Sequence, residues 1–230
     1  MTQCATLARG RVARFTRLDA CGAPVEGDAS IVTTGFISVT FTPNYLDAEE
    51  IQQADANGQL CIDDQGDPAL RWVDLSIVLC QIDPDAINII TGDPLVLNDA
   101  ATPEAVGYRL DAAVTGTSRW ALEVWSGISG QACDAAGNQE FGYWLWPFAG
   151  QARFGEAIVQ NAGLTTTLTA RTFSNSQWGV GPYDIRRDAV TPATLEPLLT
   201  PITATQHQHF EIVSVAPPAA ACGATELVIP

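Results

Sequence analysis

Apolar residues in this chain recur at every second position, in runs too short for anything but strands. Residues 31–42 (IVTTGFISVTFT) set Ile37, Val39 and Phe41 against Ser38, Thr40 and Thr42, the pattern of a half-buried strand. Residues 72–81 place Val73, Leu75, Ile77 and Leu79 on one face. Residues 119–124 place Trp120, Leu122 and Val124 opposite Arg119, Ala121 and Glu123. Residues 141–146 (FGYWLW) are apolar on both faces and read as a central strand. Residues 164–172 alternate again, and 209–215 supply the last strand. Turn signals separate these runs: Asn57-Gly58 reads as a type I′ turn joining 50–56 to 59–63, and 134–138 (DAAGN) and 161–163 (NAG) punctuate later ones.

One segment has helical punctuation instead. In residues 83–92 (DPDAINIITG), Asp83 stands at the N-cap, Pro84 at the first helical position and Gly92 at the end, with Asp85 favouring the positive helix start. Ile87 and Ile90 would dock this helix of about two turns. The fold class is therefore mainly β: a β-sandwich or barrel with one short flanking α-helix and long loops or arms. At this length roughly 72% of the unfolded chain's surface is buried on folding, so a core needs no metal or disulfide staple. Residues 1–230 read as one domain, with an N-terminal arm (1–14), a long loop or hairpin (45–68), an extended loop (190–206) and a C-terminal tail (216–230).

The chain holds 26 Asp and Glu against eleven Arg and no Lys, a formal charge of −15. Lysine Schiff-base, general-base and P-loop chemistry are excluded. A sequence-specific grip on nucleic acid lacks its basic footprint, and an anionic membrane is an equally poor partner. Residues 1–10 show no apolar core of a secretory signal, and no run approaches a membrane span. Synthesis and folding in the cytosol are thus expected, without membrane insertion. Cys4, Cys21, Cys61, Cys80, Cys133 and Cys222 form no CxxC pair. They read as free, small core residues, with disulfides formed after release as the alternative.

Candidate chemistry is sparse. His207, His209 and Glu211 alternate and would share one strand face, where two imidazoles and a carboxylate could hold a divalent metal. They are set against a plain solvated face, because the chain has only two His. The acid pairs Glu49-Glu50, Asp63-Asp64 and Asp83/Asp85 sit on turns or caps rather than flanking a sugar-shaped cleft. Residues 127–130 (GISG) lack the nucleophile-elbow frame, and Gly179-Val180-Gly181 leads into Pro182 rather than a helix. No catalytic or cofactor site emerges. Among the six Trp, Trp120, Trp144 and Trp146 read as core, while Trp125, opposite Trp120, is the interface candidate.

Several blocks run in order along the chain: 80–85 (CQIDPD) with 90–92 (ITG) and 94–97 (PLVL), 120–126 (WALEVWS), 142–148 (GYWLWPF) and 178–184 (WGVGPYD). Residues 14–25 (RFTRLDACGAPV), 207–209 (HQH) and 215–218 (VAPP) complete the series. Together they resemble the major tail (tail tube) proteins of long-tailed, siphovirus-type actinobacterial bacteriophages. The resemblance implies a tail-tube-type β-sandwich with a flanking helix. It implies hexameric rings stacked into a conduit for double-stranded DNA, in a virion assembled in the host cytoplasm. The implied partners are further copies of the chain and the tape measure, tail-terminator and tail-tip proteins, with no active site. The clasps between rings would be 45–68, the N-terminal arm and 190–206, so Tyr45, Glu49, Glu50, Asn57 and Gly58 join Trp125 as interface candidates. A negative lumen would repel DNA phosphates; six copies at −15 each carry −90. A carbohydrate-binding β-sandwich module, with Trp72, Trp125 or Trp178 stacking sugars, is the alternative, and a hydrolase with dispersed carboxylates ranks third.

Overall fold

In the computed structural model, residues 4–114, 117–130, 133–158, 161, 163–190 and 192–229 are described. The chain opens with β1 (Leu7–Leu18), β2 (Gly27–Thr33), β3 (Phe36–Leu46), β4 (Glu50–Ala54), β5 (Leu60–Gln65) and β6 (Ala69–Leu79). Helix α1 (Pro84–Thr91) follows, then β7 (Leu95–Leu97), β8 (Ala105–Tyr108), β9 (Arg119–Ile128), β10 (Phe141–Ile158) and β11 (Thr165–Thr172). Last come β12 (Arg186–Arg187), β13 (Leu195–Glu196), β14 (His209–Val213) and β15 (Thr225–Leu227). Among the described residues the protein is mainly β, antiparallel, with one short helix.

One sheet runs β15-β2-β1-β9-β10-β11-β6-β3, with β14 also paired to β10. The long strand β10 changes neighbour midway: Phe141 to Leu145 pair with β14, and Ala149 onward with β11. Pro147 lies at the change, where the β9 register also breaks between Trp146 and Ala149. Proline has no N–H for the ladder, so the pairing is interrupted there. The β6–β3 end then lies over the β1–β9–β10 face. Phe41 stacks against Trp144 and Trp146 at ring distances of 5.6 and 5.4 Å. A side chain at Gly10 would start 2.8 Å from the Phe36 ring, so β1 passes β3 where only glycine fits.

Two cores result, one on each face of β9. Phe15, Trp120, Leu122, Trp146, Leu75, Ile77 and Leu168 fill the first, closed by Ile87, Ile89 and Ile90 of α1. Each such side chain contributes about 1.5–3 kcal/mol by leaving water. Asp83 caps α1 by accepting from the Asp85 N–H at 3.0 Å, and Gly92, at φ 85°, ends it through an N–H to the Asn88 carbonyl. Trp125, Tyr143, Leu145, Phe148, Trp178, Ile185, Leu198 and Ile202 build the second core.

Several expectations need correction. The 1–14 arm is largely strand: from Leu7 the chain pairs with β9, because Val12 and Ala13 alternate into the two cores. The 190–206 loop is a packed cover, since Leu198 and Ile202 are buried over the second face of β9 and β10. The 216–230 tail is docked: β15 extends the sheet, and Gly223 and Ala224 N–H groups donate to Asp83 and Asp85 carboxylates. Ile37 points to solvent, because a register shift between Phe36 and Ser38 leaves Phe36 and Val39, not Ile37, against the core. Trp144 is only half-buried, at the edge of the first core beside Phe210. No two of the cysteines are bonded to each other and all six are exposed, because they occupy turns, strand ends and the β4–β5 hairpin rather than inward strand positions.

The Asn57-Gly58 turn also differs from type I′, since only Gly58 has positive φ (79°). Asp55 organises it: its carboxylate accepts from the Asn57 and Gln59 N–H groups, and its carbonyl from Gly58. Asp19-Ala20-Cys21-Gly22 and Asp134-Ala135-Ala136-Gly137 make the same bonds, each with a positive-φ glycine in fourth place. At Asp134 the bonds from the Asn138 side chain and backbone hold the carboxyl below its usual range.

Candidate assembly surfaces

A buried constellation of charged and phenolic side chains lies inside the second core. Arg14 donates twice to Glu123, from Nε at 2.5 Å and from a terminal nitrogen at 2.6 Å, and Tyr143 donates to the same carboxylate at 2.7 Å. The guanidinium also lies 3.2 Å from the Tyr183 ring centroid and 5.1 Å from that of Trp125. Burial lowers the Arg14 pKa, but the Glu123 charge and hydrogen bonds more than offset this and hold it above its ordinary value. Burial, then the Glu123 charge, pushes Tyr143 well above the usual phenol range, so it stays a donor. Glu123 is 0% exposed, and the five main cavities, about 250 to 630 Å3, are lined by other residues. None of these cavities reaches the group, whose bonds tie β1, β9 and β10 together. Trp125, the expected interface residue, is 2% exposed beneath Arg14 and Tyr143, because β9 is covered on both faces.

The proposed metal set does not converge. His207 precedes β14 and turns inward, with Nδ1 2.8 Å from Thr172 Oγ1 and Nε2 3.2 Å from Ser174 Oγ. His209 and Glu211 remain together on β14, 3.6 Å apart. Among the described residues no three His, Cys, Asp or Glu side chains cluster for a metal. Thr172 Oγ1 accepts from the Val73 N–H, which leaves its own proton for a neutral His207 ring. Burial pushes the His207 imidazole below its ordinary value of 6.5. The unfolded chain therefore binds the extra proton first, and stability should be complete above about pH 6.5 and decline as pH falls below it. Urea midpoints at pH 7.5 and 5.5 are expected to separate for the wild type and to draw together in His207→Gln. An unchanged separation would remove His207 as the cause.

The remaining candidates, Tyr45, Glu49, Glu50, Asn57 and Gly58, are all exposed and lie on or beside the β4–β5 hairpin. This hairpin joins β3 to β6 but pairs only with itself. Residues 47–67 hold seven acids and no Arg. Register places Glu50, Gln52, Asp63 and Gln65 on one face, where Gln52 donates to both the Glu50 and the Asp63 carboxylate. Ile51 and Ile62 lie on the other face and are 53% and 47% exposed, while a register shift pairs Leu60, 59% exposed, with Ala54. A two-stranded hairpin is marginal by itself, and no part of the described chain covers this apolar face. Beside it β3 ends the strand order, leaving an edge of unpaired backbone groups interrupted by Pro43.

No family model matches the chain, and no curated protein is significantly similar to it. Among the described residues no helix is long and apolar enough to cross a membrane.

Proposed function

We propose that this chain is a structural subunit that assembles with copies of itself into stacked rings, as in the tail tube of a long-tailed phage. The observation that carries the reading is the β4–β5 hairpin, whose exposed apolar residues and adjoining open β3 edge offer a surface that a neighbouring copy would complete. Hexameric rings, a lumen for double-stranded DNA, virion location and contacts with tape measure, terminator and tip proteins belong to the same proposal and rest on the resemblance. The net charge of −15 supports a lumen that lets DNA slide, because like charge keeps phosphates off the wall. The glycan-binding alternative draws less support, since Trp125 and Trp178 are buried and Trp72 is half-buried between two guanidinium groups.

Purified full-length protein, followed by sedimentation velocity and electron microscopy over rising concentration, is expected to form rings or tubes. A strictly monomeric species at high concentration, even with the tail initiator present, would overturn the reading. A ring reconstruction is expected to show a lumen richer in Asp and Glu than in Arg.

A further inference from the structure

Four of the eleven Arg gather on the strip formed by β6, β9, β10 and β11, in a chain that is otherwise acidic. Three of them alternate with two aromatic rings in a single stack. Arg71 Cζ lies 4.3 Å from the Trp72 ring centroid, with Arg171 Cζ 4.9 Å from the same ring. Arg171 is in turn 5.4 Å from the Phe173 centroid, and Arg119 is 4.9 Å from it. Arg153 stands beside the stack, across a depression of about 250 Å3 lined also by Asp74, Gln151, Thr169 and Arg171.

Stacking occupies the faces of a guanidinium and leaves its N–H edge free, which is the edge that binds a carboxylate in bidentate fashion. No carboxylate among the described residues lies within 4.0 Å of Arg71, Arg153 or Arg171. The nearby Asp74 carboxylate instead accepts from Trp72 Nε1 at 3.0 Å. Arg171 Nε is buried with no acceptor among the described residues. Stacking on Trp72 holds the Arg71 and Arg171 guanidinium groups in place, and that of Arg171 keeps one donor unused among the described residues.

The complementary surface is in the same chain. Glu50 and Asp63 stand side by side on one face of the β4–β5 hairpin, bridged by Gln52, within a stretch of seven acids and no Arg. We propose that the Arg71–Trp72–Arg171 stack receives the Glu50/Asp63 face of the hairpin of a second copy. The inference rests on the self-assembly reading and names the two surfaces that meet. The surfaces differ, so the contact is heterologous. Repeated, it closes a ring or grows a filament rather than stopping at a dimer.

Charge reversal tests this by sedimentation and electron microscopy, with melting curves confirming that each variant is folded. Arg71→Glu with Arg171→Glu, and separately Glu50→Arg with Asp63→Arg, should each weaken association at least about tenfold. An equimolar mixture of the two variants should regain assembly, because each supplies the surface the other needs. Wild-type assembly should also weaken with added salt. A wild type that never associates overturns the self-assembly reading itself. If the wild type and both variants assemble alike, only this inference fails. Loss in both variants without recovery in the mixture also overturns it. So does loss of double-stranded DNA binding in Arg71→Glu/Arg171→Glu with assembly intact, which would assign the stack to phosphate.

Discussion

Glu123→Ala is expected to lower the unfolding free energy by about 3–5 kcal/mol, the usual cost of stranding one partner of a buried ion pair. Arg14 would keep its charge at 6% exposure among Trp125, Tyr143 and Tyr183 with its carboxylate gone, and the Tyr143 hydroxyl would lose its acceptor. For a domain of this size that corresponds to a fall in Tm of roughly 6–20 °C. The double variant Arg14→Met/Glu123→Leu should recover most of the loss, since removing both charges also removes their desolvation cost. Thermal or urea unfolding of the three proteins decides the matter. A single variant as stable as the wild type would mean that water reaches Arg14.

The second large effect is on assembly rather than on folding. Ile51→Ser combined with Ile62→Ser is expected to weaken self-association by about 100-fold or more, as two side chains lose apolar burial against a neighbour. Both residues are exposed in the single copy, so the monomer's stability should change by no more than about 0.5 kcal/mol per site. Sedimentation velocity and melting, measured side by side, separate the two quantities. Unchanged association would place the hairpin's apolar face outside the contact. A large drop in Tm would show that the face is covered within the subunit.

The elements most legible in the sequence were those whose signal is local. Alternation at 72–81 and 119–124 marks β6 and β9, and the Asp83, Pro84 and Gly92 punctuation brackets α1 closely. Asp-Ala-x-Gly also recurs at 19–22, 55–58 and 134–137, where three turns share one set of bonds, although Asn57-Gly58 by itself suggests type I′. Positions that depend on distant partners were not legible. Glu123 alternates with apolar neighbours as any solvent-facing carboxylate would, and its partners Arg14, 109 residues away, and Tyr143 make it a core residue. Trp125 has the spacing of an outward side chain until the 173–206 segment covers it. His207 has the period of its neighbours, yet β14 begins two residues later.

The sequence by itself determined the strand-rich class, the single helix with its caps, the turn positions and an acidic surface without lysine. These follow from side-chain periodicity, local hydrogen bonding and charge count, which act over a few residues. Tertiary structure alone decided which strand faces are wet, that 190–206 and 216–230 are packed, and that Arg71, Trp72, Arg171 and Phe173 form one stack. Antiparallel pairing brings together residues that lie far apart in the chain. A one-residue bulge, such as the one beside Ile37, reverses the faces of a strand, and no local signal encodes it.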